Sequence, residues 1–208
     1  MLIVIAIIVV LAALGFVGAR RMIESANASK CVSHQRDIMV GMLLWTQDNN
    51  DILPVYNTSM NGGGGYYWYA EISRNSKSPG GNPLPYCGHN PLRPGESNDT
   101  VWICPANNPY KAQTGPKRDA SYGIASKVFA NAPNSTQVRL ASLDNTSHTV
   151  AFCDWNLNGS GAYRITSDSD IAAPHNGACN VAFLDGHVES MKPKPSSNDL
   201  IFKRTGGR

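Results

Sequence analysis

MLIVIAIIVVLAALGFVGA, residues Met1 to Ala19, holds no charged side chain and is closed by Arg20-Arg21. At helical rise this run spans roughly 28 Å, close to the ~30 Å hydrocarbon core of a bilayer. Beyond Arg21 the chain is polar and rich in Gly and Pro, so an apolar helix carries a water-facing domain. The run fits a secretory signal with Val17-Gly18-Ala19 as a small-residue cleavage site, but no basic segment precedes it and it exceeds a usual signal core. As a plain anchor it is awkward too, because Arg20-Arg21 would hold the adjoining domain inside.

The helical pattern continues beyond the arginines. From Arg21 to Asp51 no proline interrupts, and Ile38, Met42 and Trp45 recur at i, i+4 and i+7 with Met39 and Leu43 beside them. That spacing makes one apolar face, expected to pack on a core. Asp48-Asn49-Asn50-Asp51 and then Pro54 end it. The expected helix of about 50 residues is ~75 Å long.

Residues 52–120 read as irregular: Asn61 before Gly62-Gly63-Gly64-Gly65, the aromatic run Tyr66-Tyr67-Trp68-Tyr69, and Pro-rich loops around Ser78–Pro94. The Gly run lacks the Lys-Ser/Thr ending of a phosphate-binding loop, which excludes that use. The aromatic run alternates like a half-buried strand, with packing preferred over a sugar platform. Val101–Cys104 reads as a short strand stopped by Pro105. Strand signals then recur at Ser121–Phe129, Gln137–Leu143, Thr149–Cys153, Ala162–Thr166 and 179–191, so a small antiparallel sheet is expected. The fold class is α+β: a long N-terminal helix, 1–51, packed on that sheet within a globular unit, 52–208, with long irregular loops.

The net charge of +3 is scattered, with no basic stripe and no interleaved aromatics, which excludes a nucleic-acid surface. Cys31, Cys87, Cys104, Cys153 and Cys179 form no C-x-x-C pair, and that spacing argues against a structural zinc. An export-type N-terminus favours an oxidising compartment, where such cysteines form disulfides and an odd count leaves one over.

Near the end, Cys179–Leu184, Asp185-Gly186 and His187–Met191 predict a hairpin with a two-residue type I′ turn. That register sets Leu184 opposite His187 and Phe183 opposite Val188, with Val181, Phe183 and Val188 on one core face.

Two features together resemble a known family. MLIVIAIIVVLAAL is similar to the N-terminal helix of type IV pilins and type II secretion pseudopilins. His175, separated by nine residues from Asp185-Gly186, resembles the H-x9-DG domain at the C-terminus of prepilin-type proteins (here 175–191). Cys31 ahead of Asp48–Asp51, Trp102-Ile103-Cys104-Pro105, and Ser121-Tyr122-Gly123 add short islands of similarity. The resemblance implies a basic leader and a glutamate upstream of Met1, which would resolve the orientation conflict at Arg20-Arg21. It also places the family's helix-breaking proline at Val17, where Gly15 and Gly18 could loosen the helix instead.

The function so implied is structural: a pilus-like or pseudopilus subunit that waits in the membrane as a single-pass protein and then enters an extracellular or periplasmic filament. Leu2, Ile3, Ile5, Ile7, Ile8, Leu11, Leu14 and Phe16 would face lipid first and neighbouring helices afterwards, with small residues permitting close approach. The implied partners are copies of itself, an inner-membrane assembly machinery, a prepilin peptidase and the bilayer. The competing reading is a membrane-anchored extracytoplasmic module that binds sugar or metal without polymerising. The resemblance makes Cys31–Cys104 a disulfide candidate, and Cys153 with Cys179, on or beside strands, a second.

No catalytic arrangement is legible, so no enzyme is expected. His175, Asp185 and His187, with Asp154 as a fourth, are candidate metal ligands for a transition ion, and Thr166–Asp170 could offer oxygens to calcium. The expectation is the plainer one, that no cofactor binds, Asp185 caps its own turn and His175 bonds nearby backbone.

Overall fold

The computed structural model describes residues 2–58, 66–68, 72, 76–77, 83–84, 101–107, 120–129, 131–132, 137–156, 164–192 and 194–196. Among them stand one long helix and a five-stranded mixed sheet, an α+β architecture.

The helix, α1 (Leu2–Asp48), is continuous, and Gly15 and Gly18 lie within it without a break. Its C-terminus closes at the expected Asp/Asn run. Asn50 takes a left-handed backbone (φ 57°) and the Asp51 amide donates to Thr46 O at 3.0 Å, a Schellman-type closure with Asn in place of Gly. Cys31, Gln35, Ile38, Met39 and Met42 are fully buried along one face. Towards the other end the described apolar side chains are exposed, from Ile3 at 77% to Phe16 at 60%. The expected contacts Leu2 and Leu14 lie outside the described side chains. Among the described residues, no helix is long and apolar enough to cross a membrane.

The sheet is built from β1 (Tyr122–Ala125), β2 (Val150–Asp154), β3 (Arg164–Ile165), β4 (Cys179–Phe183) and β5 (Val188–Met191), in the order β5-β4-β2-β1-β3. Four strands are antiparallel, and the edge strand β3 runs parallel to β1, so the sheet is not purely antiparallel as expected. Helix α1 packs on β4 and β5. Tyr122 pairs with Asp154 and Ile124 with Phe152, so all four project from one face of the pleat. Phe152 stacks on Trp68 with centroids 5.2 Å apart, and Trp68 meets Trp102 edge-on at 5.5 Å. The aromatic run therefore supplies core rather than a surface platform at Trp68, which is fully buried; Tyr69 lies outside the described residues. Gly123 faces the opposite way, where a Cβ would come within 2.8 Å of Ile165 and 2.9 Å of Trp155.

Three local expectations change. Gln137–Leu143 is not a strand. Val138 O accepts from Leu53 N–H, Asp51 O accepts from Leu140 N–H, and Asp51 Oδ2 accepts from Ala141 N–H. These bonds fold the segment onto the helix exit as a single bridge (Ile52 to Arg139) and then a 3₁₀ turn, Leu140–Ser142. Val101–Cys104 is also a turn-rich loop, since Trp102 O and Cys104 N–H are taken by Ser121 instead of a ladder.

The third change is the final hairpin. Gly186 alone takes positive φ (98°), Gly186 N–H donates to Phe183 O, and Phe183 N–H donates to His187 O. The loop is thus the three residues Leu184-Asp185-Gly186, a turn with a Gly bulge. Val188 pairs with Ala182, so it lies on the face opposite Val181 and Phe183. Two consecutive positive φ values fall instead at Asn176 (54°) and Gly177 (82°), where His175 and Ala178 exchange backbone hydrogen bonds. The type I′ pattern is there, nine residues upstream of its expected place.

Candidate metal centre

Four side chains from separate parts of the chain converge between α1 and the sheet. Cys31 comes from the buried face of α1, Cys104 from the 101–107 loop, Asp154 from the end of β2 and His175 from the position before the Asn176-Gly177 turn. One donor atom from each lies within 4.8 Å of every other, and all four residues are buried. They could hold a metal ion.

Local chemistry fixes each arm. Cys104 N–H donates to Ser121 Oγ at 3.0 Å, and that hydroxyl donates to Asn107 O at 2.7 Å. The loop is thereby tied to the start of β1, with Trp102 O accepting from Ser121 N–H. His34 on α1 reaches Ile103 O through Nδ1 at 3.1 Å. Asp154 Oδ2 accepts the Asn180 amide of β4 at 2.8 Å, and its Oδ1 faces Gln35 Nε2 at 3.4 Å. His175 is held by its turn, whose Asn and Gly residues tolerate positive φ with little strain.

Several contacts within the cluster have the same length. Cys31 Sγ lies 3.4 Å from Asp154 Oδ1 and 3.4 Å from the Tyr122 hydroxyl, Cys104 Sγ is 3.4 Å from His175 Nε2, and His175 Nε2 is 3.4 Å from Asp154 Oδ2. The same imidazole nitrogen faces both sulfur and carboxylate. A proton relay from thiol through imidazole to acid would use opposite nitrogens of the ring, so the arrangement converges on a point rather than passing a proton along.

Burial pushes the Cys31 thiol well up, reinforced by Cys104 and Asp154. Cys104 is lowered to about 6, chiefly because Cys31 hydrogen-bonds to it; burial opposes this and His175 assists. Burial pulls His175 down, but its bonds to Asp154 and Cys104 outweigh that and raise it to about 9. Both raised values keep a proton on Cys31 and on His175, which a bound cation would have to displace. Among the described residues, His175 Nδ1, Gln35 Oε1 and both polar side-chain atoms of Asn180 are buried without a hydrogen-bond partner. Each such group calls for an explanation.

Of the ligands expected from sequence, Asp154 and His175 are brought together, whereas Asp185 and His187 form a separate pair in the hairpin loop. His187 Nδ1 meets Asp185 Oδ1 at 2.6 Å, its backbone amide donates to the same oxygen at 3.1 Å, and its ring stacks on Phe183. Asp185 caps its own turn, as expected. The His175 ring turns to Cys104 and Asp154 rather than to backbone. The calcium loop is also spent internally: Asp170 Oδ2 accepts from the amides and hydroxyls of both Thr166 and Ser167.

Cys31 and Cys104 were expected as a disulfide pair rather than as ligands, and both are free thiols here, as are Cys153 and Cys179 on the neighbouring strands β2 and β4. Cys87 lies outside the described residues. The absence of a C-x-x-C pair tests only for ligands close in sequence, and these four residues come from four segments.

Comparison with known protein families, with curated proteins and with solved structures yields no match.

Proposed function

We propose that this chain is a structural subunit of a type IV pilus-like or pseudopilus filament, polymerising through the N-terminal part of α1. The observation that carries the reading is the division of one unbroken helix. From Cys31 onward it is buried on its own domain, while Ile3, Val4, Ile5, Ile7, Ile8, Leu11 and Phe16 lie exposed. A contiguous apolar surface of that extent marks a contact with lipid or protein. Acyl chains satisfy it before assembly and neighbouring helices afterwards, so the chain is a single-pass membrane protein and then part of an extracellular or periplasmic filament. A head-to-tail contact that does not close yields a helical polymer. Copies of the chain, an inner-membrane assembly machinery and a prepilin peptidase are the partners this reading requires. The role is mechanical, not enzymatic.

The four-residue centre fits this role as a fastening of the helix to its domain. Two sulfurs and an imidazole support a transition ion over calcium, which takes six to eight oxygens.

Negative-stain electron microscopy of sheared surface material from cells expressing the full chain tests the proposal. Helical filaments that lose their subunit on Ile8→Asp substitution support it. Membrane-bound protein that never polymerises, with its binding properties unaltered by that substitution, would return the anchored module to first place.

A further inference from the structure

The four donors differ in chemistry yet crowd within 4.8 Å of one another, and spacing helps separate a coordination site from an ordinary hydrogen-bonded cluster. A charge-assisted N–H to carboxylate bond is ~2.8 Å long. His187 and Asp185 meet that standard in this protein, at 2.6 Å. His175 and Asp154 do not, at 3.4 Å, although both side chains are almost wholly buried. Bonds of ~2.0–2.3 Å to a central zinc put tetrahedral edges at ~3.3–3.8 Å. Cys104 Sγ to His175 Nε2 and His175 Nε2 to Asp154 Oδ2, both 3.4 Å, fall in that range; Cys31 Sγ lies 3.4 Å from the other carboxylate oxygen, Oδ1, and one donor atom of each residue lies within 4.8 Å of the rest.

We propose that Cys31, Cys104, Asp154 and His175 bind one zinc ion in a closed, structural tetrahedral site that clamps α1 to the sheet. The proposal rests on the preference of this donor set for a transition ion over calcium, and not on polymerisation. Zinc takes sulfur, nitrogen and carboxylate oxygen together without a geometric preference of its own, and four protein ligands leave no open position. On binding, Cys31 and Cys104 give up their thiol protons to solvent, and His175 coordinates through Nε2 with its remaining proton on Nδ1. Two thiolates and one carboxylate around a divalent ion leave a single negative charge. The surrounding donors suit it: the Asn180 amide and Gln35 Nε2 point at Asp154, and the Tyr122 hydroxyl lies at Cys31 Sγ. Such outer bonds orient ligands and tune the ion. The same two sulfurs cannot also form a disulfide, so the site and a Cys31–Cys104 bridge are mutually exclusive.

Three readouts on the full chain, purified in detergent without chelator, test this. Elemental analysis is expected to find zinc at about one ion per chain. Peptide mapping is expected to recover Cys31 and Cys104 reduced, alkylated several-fold faster after chelator treatment. Cobalt(II) substitution is expected to give the spectrum of a tetrahedral thiolate complex. Zinc should be lost in Cys104→Ser and His175→Gln and retained in His187→Ala, which alters only the hairpin pair. If the ligand variants do not fold, the measurements on the unaltered chain still decide.

A Cys31–Cys104 disulfide without metal overturns the proposal, as does a reduced, ion-free chain whose thiols ignore chelator. Calcium overturns it together with the preference for a transition ion. Another transition metal overturns zinc while leaving that preference intact. None of these outcomes bears on filament formation, which microscopy reads separately.

Discussion

The thiol of Cys31 donates to Asp154 Oδ1 at 3.4 Å across 123 positions of sequence. One partner belongs to a helix that reads as an anchor, the other to the end of a strand. Their meeting makes the helix part of the folded domain from Cys31 onward. A contact of such sequence separation is costly to form and depends on the whole sheet being in place.

Asp154→Ala should leave Asn180 N–H and His175 without their partner and, under the zinc proposal, empty the site. Deleting one member of a buried charged pair costs about 3–5 kcal/mol. Chemical denaturation of the full chain, read by tryptophan fluorescence from the buried Trp68 and Trp102, measures it. A loss under about 1 kcal/mol would show that the carboxylate holds nothing together.

Gly123→Ala should destabilise through overpacking, because the new methyl would come within 2.8 Å of Ile165 Cδ1 and 2.9 Å of Trp155 Cδ1. The expected cost is about 1–3 kcal/mol. Ile165→Ala in the same chain should recover part of it, a coupling that a double-mutant cycle reads directly.

Asn50→Val should cost about 1–2 kcal/mol, since φ of 57° places a β-branched residue in the left-handed region. Asn50→Gly should be neutral or slightly stabilising. The ordering Gly ≥ Asn > Val in melting temperature is the readout, and Val matching Asn would refute the cap.

Asp170 is buried, which by itself would raise its carboxyl, but four hydrogen bonds from Thr166 and Ser167 lower it below the usual carboxylate range. A depressed folded value stabilises above the unfolded pKa of ~3.9 and loses that stabilisation as pH falls through the folded value. Asp170→Asn should therefore cost about 1–3 kcal/mol at neutral pH, and the gap to the unaltered chain should close in acid. A gap independent of pH would assign the loss to geometry rather than charge.

Ile8→Asp should leave the unfolding of the domain within about 0.5 kcal/mol of the original, because Ile8 is exposed and remote from the core. It should abolish both membrane partition and assembly, which fractionation and microscopy report. A parallel loss of domain stability would show that this part of α1 packs on its own chain.

Helix α1, its C-terminal cap and its buried face were readable because each rests on local chemistry: period 3.6 at Ile38, Met42 and Trp45, and a run of Asp and Asn at the exit. The five strands were readable as short runs between turn signals, with alternation helping only at the final hairpin. What failed was partnership. Gln137–Leu143 has strand composition but its amides go to residues 51–53, a choice made by the tertiary fold. The hairpin missed by one residue because Asp-Gly and Asn-Gly both permit tight turns, and which one closes as type I′ depends on flanking pairing. At the centre, Asp154 and His175 were named as candidate ligands, and Cys31 and Cys104 as a disulfide pair. Only the packing of α1 on the sheet brings the two sulfurs, the imidazole and the carboxylate within 4.8 Å of one another.

The absence of any break in α1 has a mechanical consequence. An α-helix transmits axial force with little extension, and the segment from Ile3 to Cys31 is roughly 40 Å long. A pull entering at the exposed end therefore reaches Cys31 undiminished and is passed to the sheet sideways, across β4 and β5, as shear rather than peeling. Loaded this way the contacts share the force and yield together, not one after another.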